Sequence, residues 1–148
     1  MNTAFLLDSI PHRPPFLYVD EVVEVSPQSI VTRFRARPES DFFRGHYPGN
    51  PIMPGVLICE CCFQAGALLI AHRLGGFDSA AGVPVLTRIQ DARFRRIVRP
   101  GETLCVEVTI VDDVSDAYHL TGRASVGDEL AVRVSFACML ARAEERAT

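Results

Sequence analysis

His46-Tyr47-Pro48-Gly49-Asn50-Pro51-Ile52-Met53-Pro54-Gly55-Val56-Leu57-Ile58-Cys59-Glu60, running on through Cys61-Cys62-Phe63-Gln64-Ala65-Gly66-Ala67 to Arg73, decides how the chain folds. Gly45, Pro48, Gly49, Pro51, Pro54 and Gly55 fall within eleven residues, a density at which regular structure does not persist. Residues 41–54 therefore read as a rigid, shaped loop. Beyond Pro54 the pattern changes at once. Residues 54–73 hold no further proline and are followed by Gly75-Gly76. They predict a long helix with proline in its first turn and glycine past its end. That helix is apolar on nearly every face, which makes it the buried helix of the domain.

Working outward, residues 3–9 carry a weak apolar face and predict a short helix, stopped by Pro11-His12-Arg13-Pro14-Pro15. Residues 16–25 and 29–37, separated by Ser26-Pro27-Gln28, predict an antiparallel pair. Downstream, after a flexible segment at 76–82, four strands are expected at 83–98, 103–111, 117–126 and 129–140. Leu104, Val106, Val108 and Ile110 alternate onto one face of the second of these. A central helix followed by an antiparallel meander predicts an α+β fold in a single domain spanning 1–148, with the sheet wrapped on the helix.

The composition narrows the function. At 148 residues the chain is one domain, and its net charge of -3 argues against a general nucleic-acid binder. All 15 basic residues are arginine. The missing lysine excludes Schiff-base chemistry and the phosphate-binding lysine of nucleotide loops. Five cysteines, three of them crowded at Cys59, Cys61 and Cys62, make a poor disulfide framework and suggest a reducing compartment. The first ten residues carry acid rather than base and predict no signal peptide. The longest apolar stretch, 56–71, is interrupted by Glu60 and Gln64, too short and polar to span a bilayer. The expectation is a cytoplasmic protein.

Chemistry concentrates around the helix. Glu60 and Gln64 are four apart on one face, and Ala67 and Ala71 continue that stripe with small residues. A carboxylate on an apolar helix is costly unless it is paired or used. Pairing with an arginine and a role in proton transfer are equally compatible with this periodicity. The proline-rich loop delivers His46 close to the start of the same helix, and a histidine with a buried carboxylate suits proton transfer near neutral pH. The helix start adds unpaired N–H groups at Gly55, suited to a carbonyl oxygen that develops charge. Base, acid and oxyanion donor together fit removal of a proton α to a carbonyl with loss of a β-leaving group.

The segment resembles the signature of the 3-hydroxyacyl-[acyl-carrier-protein] dehydratases, a hot-dog fold family, in which His-Phe-Pro-Gly-x-Pro-x-Met-Pro-Gly-Val-Leu leads to a Glu fourteen residues after the His. His46 and Glu60 stand at that spacing, 60 minus 46 being 14. Pro11-His12-Arg13-Pro14-Pro15-Phe16-Leu17-Tyr18-Val19-Asp20 and Asp91-Ala92-Arg93-Phe94-Arg95-Arg96 resemble the family's flanking motifs, as does Val98-Arg99-Pro100-Gly101-Glu102-Thr103-Leu104. The resemblance thus covers most of the chain.

It implies a hot-dog domain that dimerises by joining sheets, with a site that takes His46 from one chain and Glu60 from the other; many members then form trimers of dimers. It implies that His46 removes the α-proton of a 3-hydroxyacyl thioester and that Glu60 protonates the departing hydroxyl. The Gly55 N–H would hold the thioester oxygen, Gln64 would stand behind Glu60, and Pro54, Val56 and Tyr47 would line the substrate. Glu rather than Asp at position 60 points away from the related dehydratase/isomerases. Tyr47, Cys61-Cys62-Phe63 and Gln90-Asp91 depart from the family pattern and bear on chain length and carrier, not on the proton chemistry. The same residues serve hydration of a CoA thioester or a polyketide-type pathway; a binding-only paralogue is the non-enzyme alternative.

Arg93, Arg95, Arg96 and Arg99 form a basic cluster in an acidic chain. Strand alternation puts Arg93 and Arg95 on one face and Arg96 on the other. Given the resemblance, they are candidates for docking an acidic acyl carrier protein; a solvated strand face is the alternative. Cys59 and Cys62 share a helix face without a histidine at ligand spacing, so no metal is expected, and the chemistry calls for no cofactor. His12 reads as ordering the loop near the site, and His72 and His119 as surface or structural.

Overall fold

The structure is a computed structural model that describes residues 3–76 and 82–141. The expected flexible segment lies, at 77–81, outside them. Helix α1 (Thr3–Leu7) leads to strands β1 (Glu21–Val25) and β2 (Ser29–Arg35), then to helices α2 (Asp41–Gly45) and α3 (Gly55–Leu74). Strands β3 (Val83–Phe94), β4 (Thr103–Val114), β5 (Ala117–Val126) and β6 (Glu129–Ala141) complete the chain. The six strands form one antiparallel sheet in the order β1-β2-β4-β5-β6-β3, curved around α3. This is the hot-dog arrangement.

Helix α3 is buried from Cys61 to Ala71 without a break. Leu104, Val106, Val108 and Ile110 face it from β4, Leu120 and Ala124 from β5, and Val134 and Phe136 from β6; all are 3 % exposed or less. Ile10, Tyr18 and Val19 complete the same core from the N-terminal segment. That wrapping explains a helix with no polar face: Leu68, Leu69 and Ile70 are each 0 % exposed, and each such burial stabilises the fold by about 1.5–3 kcal/mol. By length and composition α3 resembles a membrane span, but 67 % of its apolar window is buried inside the domain. It is a core helix. Pro54 is its N-cap, one position before the first turn, and Gly75 closes it in the left-handed conformation at φ 77°.

Close approach of helix and sheet depends on Gly122. A Cβ there would lie 2.8 Å from Cys62 Cβ and 3.0 Å from its Sγ. The Cβ is fixed to the helix backbone and cannot rotate away. Gly122→Ala is therefore expected to cost about 1–3 kcal/mol by overpacking, read as a lowered midpoint in denaturant. An unchanged midpoint would mean that the helix–sheet spacing is set elsewhere.

Four expectations need correction. Residues 41–45 form α2 rather than loop: they hold no proline, Asp41 favours the first turn, and their one glycine, Gly45, stands at the helix end, with the prolines starting only at Pro48. The strand expected at 16–25 begins only at Glu21, because the Tyr18 N–H donates to Gln64 Oε1 at 2.7 Å instead of to a neighbouring strand. The turn expected at 112–116 shrinks to Ser115-Asp116 as β4 and β5 run on. Finally, only β4-β5-β6 is a meander. β3 ends at Phe94 and pairs with β6, the last strand, at the sheet edge.

Candidate active site

The loop before α3 holds His46 by one hydrogen bond, Nδ1 to the Ile52 carbonyl at 2.9 Å. A carbonyl only accepts, so Nδ1 carries the proton and Nε2 presents its lone pair. His46 lines a cavity of about 510 Å³ with Ile52, Met53, Gly55, Val56 and Phe94. At the helix start, Leu57 and Ile58 N–H groups return to the Pro54 carbonyl. The Gly55 and Val56 N–H groups have no partner among the described residues. The Phe94 ring covers Gly55: a Cβ there would stand 2.6 Å from Phe94 Cε1, so any larger residue would have to push that ring aside.

Glu60 lies farther along α3, its side chain 19 % exposed. Gln64, fully buried, fixes it. Gln64 Oε1 accepts from the Tyr18 N–H, and Nε2 donates to the Phe16 carbonyl at 2.9 Å and to Glu60 Oε2 at 3.0 Å. The two backbone partners determine the amide's orientation, so Glu60 Oε2 is held as an acceptor, and in the protonated form the proton falls on Oε1. Burial pushes the Glu60 carboxyl above its ordinary range, and the Gln64 hydrogen bond offsets this only in part. His12 Nε2 lies 3.8 Å from Glu60 Oε2.

The thiols near Glu60 stay protonated. Burial, then the Glu60 charge, raises Cys59 to about 11 and Cys138 to about 12. Cys61 and Cys62 are also raised and are 0 % exposed, so they act as small apolar residues. Among the described residues no group of three His, Cys, Asp or Glu side chains could hold a metal.

The expected residues thus fall into two places. Gly55, Val56 and His46 share one cavity, with Pro54 capping the helix beside them; Tyr47 stands next to His46, ring against ring at 4.6 Å. Glu60 and Gln64 form a separate cluster with His12 and Tyr18, and Glu60 does not line the His46 cavity. His12, expected to order the loop near the site, lies within ion-pair reach of Glu60.

The arginines also divide. Arg96 grips Glu102 with two bonds, at 2.7 and 3.0 Å, and lies 3.4 Å from Glu129. This pairing holds the Glu102 carboxyl below its ordinary range. Arg99 bonds Asn50 Oδ1 at 3.0 Å. Arg93 and Arg95 instead line a cleft of about 460 Å³ with Arg123, Arg133 and Asp91. Arg93 faces Arg133, and Arg133 faces Arg123, across three adjacent strands. Like charges in direct register repel, and none of these four guanidiniums has an ion-pair partner among the described residues. Arg95 lines both this cleft and the His46 cavity.

A hot-dog domain with an apolar cavity at the start of its core helix and a partly buried carboxyl on that helix defines a class of proteins that act on acyl thioesters. Residues 10–135 match the FabA-like domain, and the chain belongs to that family. It is 40 % identical over 141 residues to the 3-hydroxyacyl-[acyl-carrier-protein] dehydratase FabZ of Caulobacter vibrioides, covering 95 % of this chain and 88 % of the relative. It is 45 % identical over 125 residues to the FabZ of Symbiobacterium thermophilum, covering 84 % and 86 %. Among solved structures, the dehydratase heterocomplex ApeI:P from Xenorhabdus doucetiae superposes with a TM-score of 0.81 at 17 % identity, over 96 % of this chain and 94 % of the other. That likeness carries the fold alone.

Proposed function

We propose that this protein dehydrates 3-hydroxyacyl thioesters carried on acyl carrier protein to trans-2-enoyl thioesters in fatty acid synthesis, a hydro-lyase reaction without a cofactor. Family membership and the dehydratase relatives support the reaction. The observation that carries it is the network of buried Gln64, which holds the partly buried Glu60 with one oxygen accepting and the other free to give a proton. In this reading His46 Nε2 takes the α-proton and the C–H electron pair becomes the C2–C3 double bond. The C3–O bond breaks, and the hydroxyl leaves as water with the proton of Glu60 Oε1. The Gly55 and Val56 N–H groups receive the thioester oxygen as charge builds on it. Pro54 and Tyr47 frame the acyl chain beside them.

His46 and Glu60 line different places within one chain, so a second copy must supply the missing partner. The edge strand β3 favours this. Its outer side is unpaired in the sheet, and Val85, Leu86, Ile89 and Phe94 are 38–56 % exposed. An exposed apolar edge of this length is a template for pairing. A homodimer joined there, itself able to assemble further into a trimer of dimers, brings His46 of one chain toward Glu60 of the other. The five cysteines are free, which suits the reducing cytoplasm.

The four-arginine cleft is the docking surface this reading assigns to the acidic carrier, with Arg123 and Arg133 added to Arg93 and Arg95. Arg96 and Arg99 contribute to the local frame through Glu102 and Asn50. Arg133→Glu is expected to raise KM for carrier-linked substrate about five- to tenfold while leaving short N-acetylcysteamine thioesters within about twofold, since a surface charge acts mainly on encounter. Equal effects on both substrates would make the arginine row structural. The function itself is tested by following the conjugated-enoyl absorbance of trans-2-enoyl thioesters on acyl carrier protein and on CoA. The absorbance falls as water adds. No change on either carrier at several chain lengths would refute the proposal.

A further inference from the structure

In the proposed reaction Glu60 loses its proton in every dehydration, which leaves a carboxylate on a side chain only 19 % exposed. Tyr18 faces it from the N-terminal segment, Cys59 and Cys61 from its own helix, and Cys138 from β6. Burial holds all four in their neutral forms. Arg13, the cation beside His12, is already engaged: its Nη1 is committed to the Ile10 and His12 carbonyls and its Nη2 lies 4.0 Å from Asp8. His12 remains. Its Nε2 is 3.8 Å from Glu60 Oε2, too far for a hydrogen bond between neutral groups but within ion-pair reach.

His12 also differs from His46 in how it is held. The Nδ1 of His46 is tied to a carbonyl, which sets its tautomer. The Nδ1 of His12 is buried and has no hydrogen-bond partner, so no bond to the protein commits its ring to one protonation state. The ring itself is placed by stacking on Phe16 at 6.5 Å. Burial and then Arg13 hold His12 below its ordinary range, and burial holds the Glu60 carboxyl above its own.

We propose that His12 is a positioning residue for Glu60, acting as the counter-charge that appears when Glu60 has given up its proton. The two side chains then hold one proton between them. In the form ready to donate it sits on Glu60. After Glu60 donates it to the leaving hydroxide, His12 takes a proton from solvent and stands as imidazolium against the carboxylate. It gives that proton up when Glu60 is reloaded. The inference rests on the proposed role of Glu60 as the acid.

A pair that shares one proton keeps it to higher pH than either group alone. His12→Asn is expected to lower kcat about tenfold near pH 6, where the wild-type ring can charge, and to leave it within about twofold of wild type near pH 9, where that ring is neutral as well. A merely structural role would lower turnover by one factor at every pH. A second readout needs neither activity nor the folding of that variant. The protonation midpoint of His12, followed by NMR of the labelled imidazole, should fall by about one unit in Glu60→Gln, where the anionic partner is gone. A uniform loss across pH in His12→Asn, or an unmoved His12 midpoint in Glu60→Gln, overturns the inference. Full turnover by Glu60→Gln would instead remove Glu60 as the acid, a separate failure that the NMR midpoint distinguishes.

Discussion

His46→Ala is expected to lower turnover of a 3-hydroxyacyl thioester by about a thousandfold, the middle of the range for losing a positioned general base. The side chain has one hydrogen bond to the protein, to the Ile52 carbonyl, and stands in the cavity wall rather than in the core. Its removal should therefore leave the melting temperature and thioester binding near wild type while kcat collapses. KM should change little, because proton abstraction belongs to the transition state rather than to ground-state binding. Turnover within tenfold of wild type would take His46 out of the mechanism. A collapse of binding together with kcat would instead make it a structural residue of the loop.

Glu60→Gln is expected to lose about a hundredfold or more in kcat. The amide keeps the size of the carboxyl and can still meet Gln64, but it has no acidic proton to give. Stability should move the other way, and its sign follows from linkage. Burial raises the folded-state value of Glu60 above the ordinary carboxylate value of 4.5. The native state therefore holds this proton more tightly than the unfolded chain. Its contribution to stability is fully present below about pH 4.5 and is lost as pH rises through the raised folded value. Glutamine has no such loss. Glu60→Gln should gain on wild type across that window and stay ahead at neutral pH, as seen in denaturant midpoints measured from pH 4 to 8. A carboxyl kept for its chemistry at the expense of the fold behaves this way. One kept for structure would destabilise when replaced, and equal or lower stability at neutral pH would contradict the assignment.

The helix was the most legible part of the chain, because Pro54 and Gly75 punctuate both ends and tertiary packing agrees with that punctuation. The β4 face was equally plain: Leu104, Val106, Val108 and Ile110 alternate, and all four are buried. Sheet order was not. The place of β3 beyond β6 depends on how the chain crosses α3, which no local pattern records. Two bulges, one at Leu86/Arg88 and one at Gln90/Arg93, also break its alternation. Tyr18 misled for a related reason. Its surroundings look like strand, but its N–H is taken by a side chain 46 residues away.

The site shows the same division. Residue types and spacing single out His46, Glu60 and Gln64, because each is costly or unusual where it stands. His12 as a neighbour of Glu60, and Arg123 and Arg133 as neighbours of Arg93, come only from contacts between distant segments. In the proposed reading, the partner for His46 comes from a second chain.

That pairing between chains is tested most directly by co-expressing His46→Ala and Glu60→Gln chains under two different tags and isolating the mixed dimer. If one site is built from the base of one chain and the acid of the other, the mixed dimer holds one intact site and one doubly altered site. It should recover about half of wild-type turnover, because a two-fold contact pairs each residue with its counterpart in both directions. A mixed dimer no more active than either variant alone would contradict a site shared between two chains.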